Sequence, residues 1–526
     1  MKKRILSVIL SASMLISMMA TVKAEEASPT LPNIGDTISG FTVEEIRESK
    51  TLDSDVFLFT HEKTGAQLIY IANEDTNRAF NIAFRTPGSD TGIAHVFEHA
   101  TLGGSQKYPK DIFFNLIYQT SQTNMNASTA ASFTQYFSAS ISDAQLLKLM
   151  DYYLDGVFNP IIKTDKSIFD TEAWRYELES PDDELTLNGT VYSEMKGVMG
   201  SYTEQAWFNV LKTMFPNSCY ATNYGGDPDV IPTLAYDEVV QFHNDYYKPS
   251  NAIATIYGKL DYEKYLELFD EYFSKYDDQK PNLSDKNYTP ISGTVEKEFT
   301  IPGSGSPVMT YAFTLPTEND DDYFSLLELA NILTSQSSPI NMKMQDVLPD
   351  VSCSVETMYE TPEPILIFFA QNIDEGDKDL FKSTVDEALE EIATQGIDKD
   401  LLDSYVTSKE RSSVYSNKDL GTDTTDEINT FWSSTNEPLE YFKFLDFEEN
   451  MSANLTSDKL AQLTDKYLVN ADKRVIISNI PDENLAKEKD TALKNKLAEI
   501  KANMTDEEIA EIVAETTEED ADDTAV

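Results

Sequence analysis

His95, Glu98 and His99 stand in one pentapeptide, His95-Val96-Phe97-Glu98-His99, and it holds two of the chain's four histidines. Positions i and i+4 of a helix project from the same side, so both imidazoles can reach one metal ion. Glu98, one residue before the second histidine, lies beside that face and can reach a water on the metal. The order is HxxEH, the reverse of the commoner HExxH. A surface helix with two unrelated histidines has the same letters, so the surroundings must decide.

Those surroundings supply a rigid mount, which a catalytic metal needs. Phe80-Asn81-Ile82-Ala83-Phe84 alternates as a half-buried strand does, and Pro87-Gly88-Ser89-Asp90 breaks it. Asp90 or Thr91 can cap a helix over about residues 92–102, and Gly103-Gly104 stops it. Further on, 113–117 and 146–158 read as helices and 134–140 as a strand. Residues 191–198 read as a helix carrying Glu194, and 252–257 as a strand that Gly258 ends. The polar stretch 277–287, which contains a proline, is the best candidate linker.

Beyond the linker the chain repeats itself. Met309-Thr310-Tyr311-Ala312-Phe313-Thr314-Leu315-Pro316 matches the earlier strand that ends at Ala83-Phe84-Arg85-Thr86-Pro87, and Ser325-Leu326-Leu327-Glu328-Leu329 stands where His95 to His99 stood. The Pro87–Pro316 and Glu98–Glu328 spacings differ by a single residue, which predicts duplicated domains. The second copy keeps a glutamate but has no histidine, so only the first can hold metal. The expected fold is α+β: two duplicated domains, 25–280 and 288–482, each a mainly antiparallel sheet packed against helices. A helical hairpin arm over 483–526 follows. Within it Thr505-Asp506-Glu507-Glu508 has the form of a capping box, and the acidic run from Thr516 is expected to be disordered.

Composition sets the address and excludes some partners. Lys2-Lys3-Arg4, an apolar core and Val22-Lys23-Ala24 make 1–24 a cleavable export signal, so the mature chain is expected to be secreted, in a bacterial style. The apolar run is too short for a comfortable membrane span. With 41 basic and 91 acidic residues the formal net charge is −50, which excludes nucleic-acid binding through bulk charge and disfavours anionic membrane. The acidity fits solubility outside the cell or a preference for basic peptides. Cys219 and Cys353 are the two cysteines, too few for a thiolate zinc site or a disulfide scaffold, and whether they pair is open.

A third metal ligand must come from elsewhere in the chain. Spacing cannot select it among so many acidic residues, and His61 and His243 sit in unrelated settings. The HxxEH run is followed by Leu102-Gly103-Gly104-Ser105 and Lys107-Tyr108-Pro109. Asn126-Ala127, Glu172-Ala173-Trp174-Arg175, Val191-Tyr192-Ser193-Glu194-Met195-Lys196-Gly197, Gly225-Gly226-Asp227-Pro228 and Tyr247-Lys248-Pro249-Ser250-Asn251-Ala252 come after it. Together these resemble the pitrilysin/insulinase family of zinc peptidases, inverzincins, and the Glu-Met-Lys-Gly block resembles its presequence-protease branch. The resemblance is tight over about residues 80–260 and looser beyond.

The resemblance implies one Zn2+ per chain on His95, His99 and Glu194, with Glu98 as general base. It implies that Asn126 and Ala127 lie on a strand edge that pairs with extended substrate, although Asn126 on its own also suits a turn. Trp174 reads as a core aromatic. The family's residues after the Asn-Ala pair are replaced over Ser128 to Phe133, so substrate preference can differ. The family branch also has a second half that contributes an Arg and a Tyr to a closed chamber, and this chain matches the first half. The expectation is therefore a secreted zinc metalloendopeptidase acting on peptides or unstructured segments, working with a second half-chain or as a homodimer. A non-catalytic or weakly active pairing subunit is the alternative, and a metal-binding or peptide-capturing surface protein is a third class.

Overall fold

A computed structural model describes residues 30–277, 281, 288–317, 320–412 and 419–523. The export signal and most of the expected linker lie outside these residues.

The first repeat opens with strands β1 (Thr37–Ile38), β2 (Phe41–Ser49), β3 (Ser54–His61), β4 (Gln67–Ala72) and β5 (Arg78–Arg85). Helices α1 (Ile93–Leu102) and α2 (Phe113–Gln119) follow, then β6 (Gln122–Thr129), β7 (Phe133–Ser140) and α3 (Asp143–Phe158). Next come α4 (Ser167–Glu172), the hairpin β8 (Arg175–Glu177) and β9 (Thr186–Asn188), α5 (Thr190–Val198), α6 (Tyr202–Met214) and α7 (Tyr236–Tyr246). Strand β10 (Ala252–Tyr257) and α8 (Tyr262–Phe273) close it.

The second repeat begins with β11 (Gly293–Pro302), β12 (Val308–Thr314), α9 (Asp320–Leu333), α10 (Pro339–Val347), β13 (Ser352–Met358) and β14 (Ile365–Gln371). Helices α11 (Lys378–Gln395), α12 (Lys399–Ser412), α13 (Leu420–Thr435), α14 (Glu440–Glu449), α15 (Met451–Asn454) and α16 (Ser457–Thr464) lead to β15 (Lys473–Asp482). The arm is α17 (Glu483–Ala502) and α18 (Asp506–Asp523).

The duplication is plain in the sheet topology. The first sheet runs β1-β2-β3-β4-β10-β5-β7-β6 and the second β11-β15-β12-β14-β13. Each is antiparallel except for one parallel pair, β4/β10 in the first and β11/β15 in the second. Five strands of the first sheet therefore repeat in the second with the parallel pair in the same place. Helix α1 follows β5 as α9 follows β12, so Glu98 and Glu328 occupy matching steps.

In each repeat one sheet face carries that repeat's own helices over an aromatic and aliphatic core. The other face is covered by the other repeat. Helix α13 lies on β5, β7 and β10, where Ile428 and Trp432 pack against Ala83, Phe133, Ile253 and Tyr257. Helix α6 lies on β12 and β15 in the same way, through Val210, Leu211 and Met214. This exchange corrects the expectation of a half-buried strand: seven of the eight residues of β5 are buried, because α13 covers the face that alternation had assigned to solvent. Arg85 is the polar cost of that cover. Its guanidinium sits 4.2 Å from the Trp432 ring centroid and donates to the Trp432 carbonyl at 2.6 Å.

The arm folds back rather than projecting. Leu493, Leu497 and Ile500 of α17 and Ile509 and Ile512 of α18 pack on Tyr176, Leu178, Leu185 and Leu187 around the β8–β9 hairpin. The capping box forms: Glu508 N–H donates to Thr505 Oγ1 at 3.2 Å, and Thr505 N–H to Glu508 Oε2 at 2.7 Å. Residues expected to be disordered are helical through Asp523, and Thr516 is buried, its hydroxyl accepting from Leu178 N–H. Cys219 and Cys353 are not joined by a disulfide. Among the described residues no helix is long and apolar enough to cross a membrane.

Candidate metal centre

Helix α1 places the three polar residues of the pentapeptide as the spacing demands. His95 and His99 face each other with ring centroids 4.9 Å apart, and Glu98 is buried beside them. The N-cap differs from expectation. Gly92 holds it in the left-handed region at φ 65, with no side-chain cap. A Cβ there would stand 2.8 Å from the Gly225 carbonyl oxygen, so glycine permits the close approach of the 225 loop. Asp90 instead accepts from Asn223 N–H at 2.7 Å and holds the same loop.

That loop fixes the first histidine. His95 Nδ1 lies 2.9 Å from the Gly225 carbonyl, which can only accept, so Nδ1 carries the proton. His99 Nδ1 makes the equivalent bond to Glu172 Oε2 at 3.2 Å, from the end of α4. Both Nε2 lone pairs are thereby turned inward. They meet Glu194 Oε2, on α5, at 3.7 Å from His95 and 3.6 Å from His99. One ligand atom from each of the three residues lies within 4.8 Å of the others. Three acceptors converge with no donor between them, an arrangement that repels itself without a cation. The donor set, two neutral imidazoles and one carboxylate with the other ring nitrogens tied by outer partners, fits a zinc ion with a position left open.

The acid–base group is tuned by its surroundings. Burial raises the Glu98 carboxyl pKa above the usual carboxylate range, against the fields of His95 and His99 and a hydrogen bond from Thr129 Oγ1 to Oε2 at 2.6 Å. For His99, burial opposes protonation, but the hydrogen bond to Glu172 and the fields of Glu98, Glu172 and Glu194 outweigh it and raise its pKa.

Every site residue read from the sequence falls in this region. Asn126 and Ala127 lie on β6, the end strand of its sheet, paired to β7 on one side only. Asn126 is exposed and Ala127 is buried toward α1. Trp174 is structural, donating from Nε1 to the Leu234 carbonyl at 3.0 Å. The sequence reading assigned no role to Glu172, Gly225 or Thr129. The first two lie within its quoted blocks, but only a tertiary contact shows what they hold.

At the matching place in the second repeat a lysine stands in for a metal. Glu328 is fully buried and accepts a hydrogen bond from the Tyr405 hydroxyl on α12. Its Oε1 lies 3.7 Å from Lys409 Nζ, which also reaches Glu448 Oε1 at 3.3 Å. Ser325 and Leu329 occupy the histidine positions.

The HxxEH order on a helix that faces a glutamate from a later helix is the order that inverzincins carry. The insulinase (peptidase family M16) model matches residues 86–197, and the peptidase M16 inactive-domain model matches 233–409. HypA of Clostridium perfringens is 32% identical over 483 residues, 89% of this chain and 50% of that protein. Presequence protease 1 of Arabidopsis thaliana is 29% identical over 94% of this chain and 48% of its own length. The chain thus spans about half the length of these curated relatives. Among solved structures, a Helicobacter pylori protease superposes with a TM-score of 0.65 at 17% identity, covering 81% of this chain and all of that one. Pitrilysin gives 0.58 at 15% identity over 84% of this chain and 46% of its own. The chain belongs to the pitrilysin/insulinase peptidase family, on its presequence-protease-like side.

Proposed function

We propose that the chain is a zinc metalloendopeptidase that hydrolyses peptides or unstructured segments. The observation that carries this reading is the meeting of His95 Nε2, His99 Nε2 and Glu194 Oε2 beside a buried Glu98. His95, His99 and Glu194 hold the ion. When bound, the metal supplies Lewis acidity toward a water molecule and the scissile carbonyl. Glu98 takes the proton of the attacking water and returns it to the departing amine, and its raised proton affinity suits that relay. Thr129 holds Glu98 Oε2 on the side toward β6, and Glu172 and the Gly225 carbonyl keep both imidazoles in the ligating tautomer. The β6 edge receives the extended substrate backbone near Asn126 and Ala127, a mode that tolerates many side chains.

The test is Glu98→Gln. It should keep zinc and lose peptidase activity by about 10² or more. Near-normal turnover refutes the role of Glu98.

We further propose that the mature chain is exported and that its site is completed by a second half, either a separate chain or another copy of itself. The support for pairing is that the curated relatives are about twice as long. The arm does not argue for a partner, because its apolar stripe is already covered by the β8–β9 hairpin. Solution mass measured alongside activity tests this: a strict monomer with efficient, length-limited cleavage refutes it.

A further inference from the structure

The groups that meet the two histidines from outside α1 are the Glu172 carboxylate, the Glu194 carboxylate and the Gly225 carbonyl. The elements that present them share one neighbour, the arm. Glu172 ends α4 and Glu194 sits on α5, and the chain between those helices is the β8–β9 hairpin. The base of the hairpin is stitched to both. Arg175 donates to the Asp170 carbonyl of α4 at 3.4 Å and pairs with Glu177 at 3.2 Å, and Glu177 accepts from Asn188 Nδ2 at 3.0 Å. Gly189, the N-cap of α5, has φ 141, and a Cβ there would stand 2.5 Å from the Ala173 carbonyl oxygen. The start of α5 therefore lies directly on the end of α4.

The hairpin has no core of its own. Two strands of 3 residues each do not stand alone in water. Leu178 and Leu185 are nonetheless 1% and 4% exposed, and the buried side chain they share is Leu497 of α17. Beyond the hairpin's own Tyr176 and Leu187, the side chains packed around these three all belong to the arm: Leu493, Ile500, Met504, Ile509, Ile512 and Val513. Thr516 Oγ1 accepts from Leu178 N–H at 3.2 Å, and Lys501 Nζ donates to the Asp183 carbonyl in the hairpin turn.

The loop that carries Gly225 meets the same helix. Lys489 Nζ lies 2.6 Å from Asp229 Oδ2, and Pro228 and Pro232 face Leu493 and Leu497 across a cavity. Asp229 is tied back toward the site. Its N–H donates to Asp227 Oδ1 at 3.0 Å, and Asp227 N–H donates to the Asp90 carbonyl at 2.7 Å, just ahead of α1.

We propose that the arm is a strap on the metal centre: its seat on the hairpin and on Asp229 positions Glu172, Glu194 and Gly225 against α1, and unseating it loosens the grip on the ion. The proposal rests on the reading of His95, His99 and Glu194 as zinc ligands. Leu497 and Lys489 are positioning residues, acting through the hairpin and the loop. Whatever takes hold of the arm then acts on a centre that it does not touch.

Zinc affinity is measured on the whole chain by competition against a chelator of known affinity, with circular dichroism confirming the fold of each variant. Leu497→Asp puts a charge into the buried seat and should weaken zinc binding by about tenfold, the low end of what loss of an outer partner costs. Leu402→Asp puts the same charge at a comparably buried place in the second repeat, 8% exposed against 6% for Leu497, and should leave zinc affinity unchanged. The surface ion pair carries less: Lys489→Asp should weaken zinc by about threefold, and adding Asp229→Lys should restore it. These exposed positions decide the matter if Leu497→Asp does not fold. Hydrogen exchange on the metal-free chain gives a readout that needs no ion. The amides of Asn223, Gly226 and Asp227, bonded within the loop or to Asp90, should exchange faster in Leu497→Asp and Lys489→Asp than in Leu402→Asp. Parent-like affinity and exchange in both arm variants, or an equal loss in Leu402→Asp, overturn the strap, and a charge swap that restores nothing overturns the link through Asp229. A parent chain that binds no zinc overturns the ligand set instead, and the exchange comparison still decides the strap.

Discussion

Removing the Glu172 carboxylate tests how the proposed site would hold an ion. Glu172 is not one of the three converging ligands, yet its Oε2 lies 3.2 Å from His99 Nδ1, with side-chain exposures of only 16% and 24% for the pair. Glu172→Ala leaves His99 free to rotate and to change tautomer, so Nε2 no longer points at Glu194 as a fixed acceptor. A hydrogen bond to a charged group contributes about 1.5–3 kcal/mol, and loss of an outer partner of a ligating histidine commonly costs about 10- to 100-fold in metal affinity. Partial exposure puts the expectation in the lower half of that range, about 10- to 30-fold. Glu172→Gln keeps an acceptor oxygen without the charge and should lose less. The assay is equilibrium competition for zinc against a chelator of known affinity, with circular dichroism confirming the fold. Zinc affinity within twofold of the parent in Glu172→Ala refutes the orienting role.

Three further outcomes follow from the same geometry. His99→Ala should give a folded protein without zinc, and full metal occupancy on purified protein refutes the ligand set. Gly92→Ala meets both a left-handed backbone and the Gly225 carbonyl, so it should destabilise by about 1–2 kcal/mol and weaken zinc binding by displacing the group that orients His95; unchanged melting and affinity refute it. His243, buried behind α1, donates from Nε2 to the Val157 carbonyl and accepts from Lys163, and burial, then Lys163, lowers its pKa to about 4. Its folded pKa is depressed, so the unfolded chain takes up a proton near pH 6.5 that the folded chain refuses. Stability should fall by roughly 3 kcal/mol between about pH 6.5 and 4, and His243→Gln should remove that part of the slope in denaturant titrations.

The metal helix and its two histidines were legible because everything that defines them is local: an i, i+4 pair, a break before and glycines after. Glu194 was legible through resemblance, since no local rule distinguishes one carboxylate among so many. Glu172 and Gly225 act through contacts 73 and 130 residues away in the chain, and nothing in their own neighbourhood marks them as partners of a histidine. The same limit explains β5. Its alternating letters describe a strand with one wet face, but the segment that dries that face arrives 344 residues after Asn81, at Thr425. The arm's apolar stripe was visible, while its cover, the small β8–β9 hairpin, was not, because a three-residue strand leaves almost no periodicity to read.

The crossing of α6 and α13 between the repeats has a consequence for any attempt to take the chain apart. A fragment ending after the first repeat would leave Ile69, Ile71, Ala83 and Ile253 bare to water, and a fragment holding only the second would do the same to Ile367, Phe369, Val475 and Ile477. Such faces aggregate. Cutting the backbone between the repeats is a different matter, since each piece still carries the helix that the other lacks. A chain nicked there should migrate as one particle in native conditions and separate only on denaturation, and the first fragment, which carries all three converging residues, should stay soluble only when the second is co-expressed with it.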